Sequence, residues 1–315
     1  MFIFESSVYR YDELVERSYL EAMYRHLCVE LGPKINDYEI VLWADTGAGK
    51  CPAPLLSAAL KPRVLVYISD ETSSVPFHLS GHFTVILKSY LPREHPEHRI
   101  FAMPLGYAFG MPLMPVLPIN QRTQNVFFTG CPGTHRMEFA KALLQLAAPR
   151  DRTLSTTSGL NNSTRRAQEQ VVADFSRAFP ASCICFTTGF GKGLDHASYA
   201  RMLHDSKIAL CPRGWKSSET FRHFEAMRAG CVLISDSLPS TRLYRDAPII
   251  RVKNWSSLGE IVHELLASPE RMSELQQLTM KWWEDVCSER ASAIYLKDML
   301  LRPGPGVVQR TYSPG

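Results

Sequence analysis

Residues 206–236 read SKIALCPRGWKSSETFRHFEAMRAGCVLISD, and the order of apolar and polar stretches in this segment decides the fold. Lys207–Cys211 and Cys231–Ser235 have the composition of buried strands, and Glu219–Ala229 between them has that of a helix. A strand, a loop and a helix in this order aim backbone N–H groups and a positive dipole end at an anion. The segment therefore predicts an α/β unit with an anion site at the loop 212–218.

The residues of this loop suit a diphosphate. Gly214 permits a tight turn, and Ser217 or Ser218 is predicted to cap the following helix. Arg213 and Lys216 add formal positive charge beside the predicted helix N-terminus. We therefore expect a phosphorylated ligand at this loop.

Arg222 and Glu225 lie three residues apart on the predicted helix and so share one face. An ionised glutamate only accepts hydrogen bonds, which suits the two adjacent hydroxyls of a ribose. The alternative is a surface ion pair, which stabilises a helix very little. Taken alone, an Arg/Glu pair favours that alternative.

Strand-like segments continue on both sides of this stretch and alternate with helical ones. Five lie in the first part of the chain: Phe2–Phe4, Tyr38–Trp43, Arg63–Ser69, Phe83–Leu87 and Arg99–Met103. The second part adds Asn125–Phe128, Cys183–Thr187 and Ile249–Val252 to the two strands above. A proline-rich linker, Met111–Gln121, separates the two series. The pattern predicts two Rossmann-like α/β domains, 1–118 and 119–302, that face each other across a cleft, followed by a flexible tail, 303–315.

Charge and composition exclude several other classes of protein. Residues 1–120 carry a net charge of −3 and the remainder carries +7, which places an anionic ligand in the second part. The basic residues are interleaved with acids, so we expect no nucleic-acid partner. An apolar run of about 20 residues, the length of a membrane span, is absent. With no secretory signal at Met1–Glu5, the prediction is a cytoplasmic protein, with peripheral membrane contact left open.

Catalytic and metal-binding signals are weaker. Asp70 and Glu71 follow a predicted strand at the edge where open α/β sheets keep their sites, so both are candidates for a general base. A solvated loop acid is the alternative. Asp45–Lys50 resembles a phosphate-binding loop, but Ala44 and Cys51 replace essential residues, and we interpret it as a turn. No CxxC, HExxH or Asp-x-Asp occurs, so we expect no metal site.

The wider segment resembles the exostosin family of glycosyltransferases. The resemblance rests on the strand before Pro212-Arg213-Gly214, on Arg222 and Glu225-Ala226, and on Gly230-Cys231 before the next strand. Weaker similarity spans residues 122–290 and includes Phe127–Gly130 with Arg136, Leu238-Pro239 and Trp282-Trp283.

The resemblance implies a GT-B architecture, in which the second of two Rossmann-like domains holds a nucleotide sugar. The predicted donor-binding residues are Gly130, Arg136, Arg213, Gly214, Ser218, Arg222 and Glu225. The expected reaction moves a sugar from a nucleoside diphosphate to an acceptor hydroxyl, with no metal or cofactor required. A UDP-sugar is favoured and a GDP-sugar is the alternative; the acceptor is a glycan, a lipid-linked molecule or a small molecule.

Two other functions fit parts of the same pattern. A non-catalytic nucleotide- or glycan-binding protein on this fold predicts nucleotide affinity without sugar turnover. A two-domain scaffold whose basic second part binds acidic partners predicts no nucleotide affinity. The grouping of Arg213, Arg222 and Glu225 counts against the scaffold but not against the binding protein.

Overall fold

The computed structural model describes residues 2–46, 52–57, 59–147 and 175–302. The predicted tail, 303–315, and most of the Asp45–Lys50 turn lie outside these residues. For description we call residues 1–118 the N-terminal half and residues 119–302 the C-terminal half; this boundary stays a prediction.

Ten strands form two parallel sheets of five strands each. The N-terminal sheet has the order β1-β2-β3-β4-β5 and the C-terminal sheet the order β10-β9-β8-β6-β7. The strands are β1 Ile3–Glu5, β2 Glu39–Ala44, β3 Arg63–Ile68, β4 Val85–Lys88, β5 Ile100–Ala102, β6 Gln124–Gly130, β7 Cys183–Phe186, β8 Ser206–Cys211, β9 Val232–Ser235 and β10 Ile249–Arg251. The central strands are apolar on both faces, as β3 is from Val64 to Ile68, because helices and loops cover the sheet on each side. The predicted α/β fold with two sheets is confirmed.

α-Helices connect and flank the strands. They are α1 Arg17–Leu31, α2 Ala53–Leu56, α3 Met137–Ala147, α4 His196–His204, α5 Phe221–Arg228, α6 Leu258–Leu266, α7 Pro269–Trp282 and α8 Glu289–Leu301. The cap of α5 differs from the prediction: Thr220 is the N-cap residue, and its backbone N–H donates to His223 Nδ1 at 3.0 Å. Ser217 instead accepts from the backbone N–H of Glu219, because the loop continues for two more residues before the helix begins.

Apolar residues recur at helical spacing over Tyr11–Leu31 and predict a helix over that whole range, but helix α1 begins only at Arg17. Residues Tyr11–Glu13 form a short 3-10 turn, and Leu14 is extended, with φ −63° and ψ 125°. The break turns the chain, so that Glu16 becomes the N-cap residue of α1 and its side chain is buried.

Helix α8 packs against helix α1 and so connects the C-terminal half to the N-terminal half. The hydroxyl of Tyr19 in α1 donates to the carbonyl of Cys287 at 2.8 Å and lies 2.7 Å from the Ser292 hydroxyl of α8. Lys297 of α8 pairs with Glu30 of α1 at 2.9 Å. These contacts fix the two sheets relative to each other, so that the carboxyl ends of their strands border a common cavity.

Candidate functional site

Two arginines meet at the carboxyl end of β6. The Arg222 guanidinium reaches back from α5, donates to the Thr129 carbonyl and lies 4.8 Å above the Phe128 ring. Arg136 follows the loop after β6, where its Nη1 donates to the Cys131 carbonyl at 2.9 Å. Two like charges are thereby held side by side at the end of the sheet.

Gly130 makes this close approach feasible. A Cβ atom at this position would lie 2.9 Å from Nη2 of Arg222 and 3.2 Å from Nη1 of Arg136. Both guanidinium groups therefore occupy the space that any larger residue would fill. The sequence predicted all three residues for the donor site, and the structure brings them together.

The electrostatics of the pair favour an anion. Burial, and then the charge of Arg222, lowers the pKa of Arg136 to about 10. Within the described part of the chain, the buried Nε and Nη1 atoms of Arg222 have no hydrogen-bond partner. Buried N–H groups without partners are costly, and on a charged group they cost more. The two adjacent cations and these unpaired donors therefore favour an anion at this end of the cavity.

Glu225 lies on the next turn of α5 and is almost fully buried. One carboxylate oxygen accepts from the Tyr199 hydroxyl at 2.6 Å, and the other accepts from the backbone N–H of Ala108 at 2.9 Å. Burial raises the pKa of Glu225, against these two hydrogen bonds and the charge of Arg222. Each oxygen retains a second lone pair, so the carboxylate has room for one ligand hydroxyl per oxygen.

A cavity of about 600 Å³ lies between the two halves, and both arginines line it. The N-terminal half contributes Tyr9, Glu16, Ser69, Glu71, Tyr90 and Phe109 to its wall. The C-terminal half contributes Gly130, Arg136, Tyr199, Gly214, Arg222 and Glu225. The volume suits a nucleotide-sized ligand.

The two acidic candidates of the N-terminal half have different positions. Asp70 is fully buried, does not line the cavity, and pairs with Lys88 at 3.1 Å. Burial by itself raises the pKa of Asp70, but Lys88 and the hydroxyls of Ser74 and Thr72 outweigh it and hold this pKa below its usual value. Glu71 does line the cavity. Its pKa is raised by burial, and Arg136 acts in the opposite direction.

Two further predicted residues lie outside this cavity. Arg213 and Ser218 border a separate shallow depression of about 450 Å³, with Lys216 and Lys253. Arg213 contacts the site through its backbone, because its carbonyl accepts from Nε of Arg136 at 2.7 Å. Gly214 lines the main cavity and is packed tightly, since a Cβ atom there would lie 3.0 Å from the carbonyl oxygen of Ser217.

Sequence reasoning missed several residues of the wall. Glu16 belongs to no motif, and only the break before α1 turns it inward. Phe109, with a φ of 51°, stacks on His196 at 4.8 Å and so joins the two halves by an aromatic contact. A non-glycine residue in the left-handed region leaves no signature in the sequence.

The described residues show neither a metal-binding cluster nor a membrane-spanning helix. They contain no cluster of three or more His, Cys, Asp or Glu side chains placed to hold a metal ion. None of their helices combines the length and the apolar character that crossing a bilayer requires.

Solved structures with this architecture are similar to the chain only at low sequence identity. TarM superposes with a TM-score of 0.50 and 10% identity over 88% of this chain and 58% of its own. The UDP-forming α,α-trehalose-phosphate synthase of Burkholderia vietnamiensis gives 0.50 and 8% identity over 93% of this chain and 80% of its own. The GtfA/B complex gives 0.49 and 14% identity, over 88% and 59%.

The chain thus spans less than three-fifths of the TarM and GtfA/B chains that it matches. No protein-family model matches the sequence, and no curated protein matches it significantly. With its two parallel five-stranded sheets, the protein has the fold of the GT-B glycosyltransferases.

Proposed function

We propose that the protein is a glycosyltransferase that moves a sugar from a nucleoside diphosphate to an acceptor hydroxyl. The observation that carries the proposal is the half-buried Arg222, whose buried Nε and Nη1 atoms lack partners among the described residues, beside Arg136 at a cavity between the halves. Preorganised cations at this place stabilise the charge that develops on a leaving diphosphate without a metal ion. The resemblance to the exostosin family, which is strongest over residues 199–240, supports the same assignment.

The donor site of this proposal has two parts. Arg136, Arg222 and the loop at Gly130 bind the diphosphate, and Glu225 accepts from ribose hydroxyls through its remaining lone pairs. Arg213 positions Arg136 through its carbonyl oxygen. UDP is the favoured nucleotide, which agrees with the UDP-forming activity in the name of the trehalose-phosphate synthase of the same fold.

The acceptor enters from the N-terminal half in this scheme. Closure of the cavity around both substrates would exclude the water that otherwise hydrolyses the donor. A carboxylate of the N-terminal wall then takes the proton of the attacking hydroxyl. Of the two predicted candidates, Glu71 has the access that this role needs, because Asp70 is enclosed in its pair with Lys88.

Nucleotide binding tests the proposal directly. Thermal shifts with UDP, GDP and their sugars should give the largest rise in melting temperature for the true donor, because a ligand at about 100 times its Kd stabilises by about 2.7 kcal/mol. Calorimetry with the same nucleotide should show sharply weaker binding to Glu225→Ala. Unchanged nucleotide affinity in that variant would show that Glu225 does not bind the nucleotide. A wild-type protein without affinity for any nucleotide would favour the scaffold function.

Turnover distinguishes the enzyme from the binding protein. An enzyme releases sugar from the donor or transfers it to an acceptor, whereas a non-catalytic protein on this fold binds the nucleotide sugar and leaves it intact. Release of UDP from UDP-sugars, followed over time with and without a panel of hydroxyl acceptors, separates the two.

A further inference from the structure

A second carboxylate, Glu16, is held at the cavity wall by two elements of the N-terminal half. It is the N-cap residue of α1, only 4% exposed, and its side chain lines the cavity. The hydroxyl of Ser69, just after β3, donates to Glu16 Oε1 at 3.3 Å. Ser69 itself has a φ of 67°, an unfavourable conformation that persists only where the surroundings enforce it.

The groups that face Glu16 are acidic or neutral. Glu71 and Ser69 lie across from it at the end of β3, Tyr90 follows β4, and Tyr9 precedes the turn before α1. No salt bridge among the described residues includes Glu16. Burial, with a further contribution from Glu71, raises the pKa of Glu16 to about 7, although Ser69 and its own backbone N–H oppose the shift.

Glu71 has a different environment in the same wall. Burial raises the pKa of Glu71 as well, but the charge of Arg136, together with the backbone and charge of Lys216, opposes this shift. No cation among the described residues opposes it at Glu16, so of the two carboxylates Glu16 is the better suited to take up a proton near neutral pH. A base works best when its proton affinity matches the working pH.

We propose that Glu16 is the group that takes the proton from the attacking hydroxyl, while Glu71 lies under the influence of the Arg136 charge. The inference rests on the proposed glycosyltransferase function and adds a catalytic residue that neither the motifs nor the resemblance assigns.

The same reaction step applies whether the attacking hydroxyl belongs to a sugar acceptor or to water. The oxygen of the hydroxyl forms a bond to the anomeric carbon of the donor as the bond from that carbon to the diphosphate oxygen breaks. The proton of the hydroxyl passes to the Glu16 carboxylate, and the electron pair of the broken bond leaves on the diphosphate. Arg136 and Arg222 stabilise that leaving charge.

Hydrolysis of UDP-glucose tests the role without a known acceptor, since water is then the nucleophile. In the wild type, release of glucose should rise with pH and level off above about pH 7, as Glu16 loses its proton. Glu16→Gln should lower the rate about 100- to 10,000-fold and remove this pH dependence, while the Kd for UDP stays unchanged. Glu21→Gln is the matched control on α1; Glu21 does not line the cavity, so its rate should equal that of the wild type.

Either of two results would overturn the proposal: a Glu16→Gln variant with wild-type turnover, or one that keeps the wild-type pH profile. A wild-type protein that binds UDP-glucose but never releases glucose contradicts the proposed glycosyltransferase function itself. Failure of UDP-glucose to bind contradicts the donor assignment instead. A second measurement needs no donor: carboxyl NMR of ¹³C-glutamate-labelled protein, with Glu16 assigned by its loss in Glu16→Gln. Its signal should titrate near pH 7, and titration near 4.3, the ordinary value for glutamate, would refute the proposal.

Discussion

Arg222 is a half-buried cation with incomplete hydrogen bonding, and this sets both its energetic cost and its use. Its guanidinium donates to Thr129 and covers the Phe128 ring, which accounts for part of its bonding capacity. Among the described residues, nothing accepts from its Nε and Nη1. A group of this kind contributes little to folding and much to the binding of an anion.

We expect Arg222→Met to reduce UDP affinity about 10- to 100-fold, the loss for one or two charge-assisted hydrogen bonds, with little change in stability. The matched control is Arg228→Met on the same helix. Arg228 donates to the Met111 carbonyl at 2.6 Å and stacks on Tyr107, so its loss should cost about 1–2 kcal/mol of stability and leave UDP affinity intact. Calorimetry measures the UDP affinity, and urea unfolding measures the free energy of unfolding. Equal UDP affinity in both variants would contradict the assignment of Arg222 to the diphosphate site.

At the scale of elements, strands β3 and β4 are joined below the cavity by a buried ion pair. Asp70 and Lys88 are both fully buried, and the carboxylate also accepts from the Ser74 hydroxyl at 2.6 Å. A buried pair costs desolvation, and breaking it leaves one charge without a partner. The pair therefore fixes the ends of two strands and the loop that carries Glu71.

Lys88→Met should destabilise the protein by about 3–5 kcal/mol, because it leaves Asp70 buried and unpaired. Adding Asp70→Asn should recover a large part of this loss, since the unpaired charge is then gone. Urea unfolding of the two single variants and the double variant measures the coupling. Strictly additive effects would show that the two side chains do not interact.

At the scale of the whole molecule, Glu219 connects the two halves. It is 3% exposed, follows the loop of residues 212–218, and accepts from the Tyr244 hydroxyl at 2.6 Å. Burial raises the pKa of Glu219 to about 7, against the opposing effects of Tyr244, of Lys88 and of the Tyr90 backbone in the N-terminal half. The Glu219 carboxyl therefore stays protonated to a higher pH in the folded protein than in the unfolded chain.

A carboxyl whose pKa is raised on folding stabilises the protein fully below its unfolded value, and this contribution is lost as pH rises through the folded value. The loss for Glu219 thus falls between about pH 4.3 and 7. Glu219→Gln stays neutral at every pH, so its stability relative to the wild type should rise across this range, by at most about 4 kcal/mol, and then level off. Urea unfolding at a series of pH values tests this, and a difference that does not vary with pH would contradict it.

The sequence by itself determined the sheets and several residues of the candidate site. The central strands were predictable because a parallel strand buried on both faces is a nearly continuous apolar run. The less buried strands β1, β7 and β10 were predictable as short, mainly apolar stretches. Gly130, Arg136, Arg222 and Glu225 were found from local signals, a glycine after a strand and charged residues on one helix face. The roles given to them stay predictions.

Only the tertiary structure decided which of the chemically suitable residues meet in one cavity. It separates Asp70 from Glu71, places Arg213 and Ser218 at another depression, and turns Glu16 inward. These outcomes depend on a break before α1, on strained residues such as Ser69, and on the packing of α8 against α1. The contacts that hold these features in place join residues far apart in the chain, such as Tyr19 with Cys287 and Glu16 with Ser69. Local periodicity carries no information about such contacts.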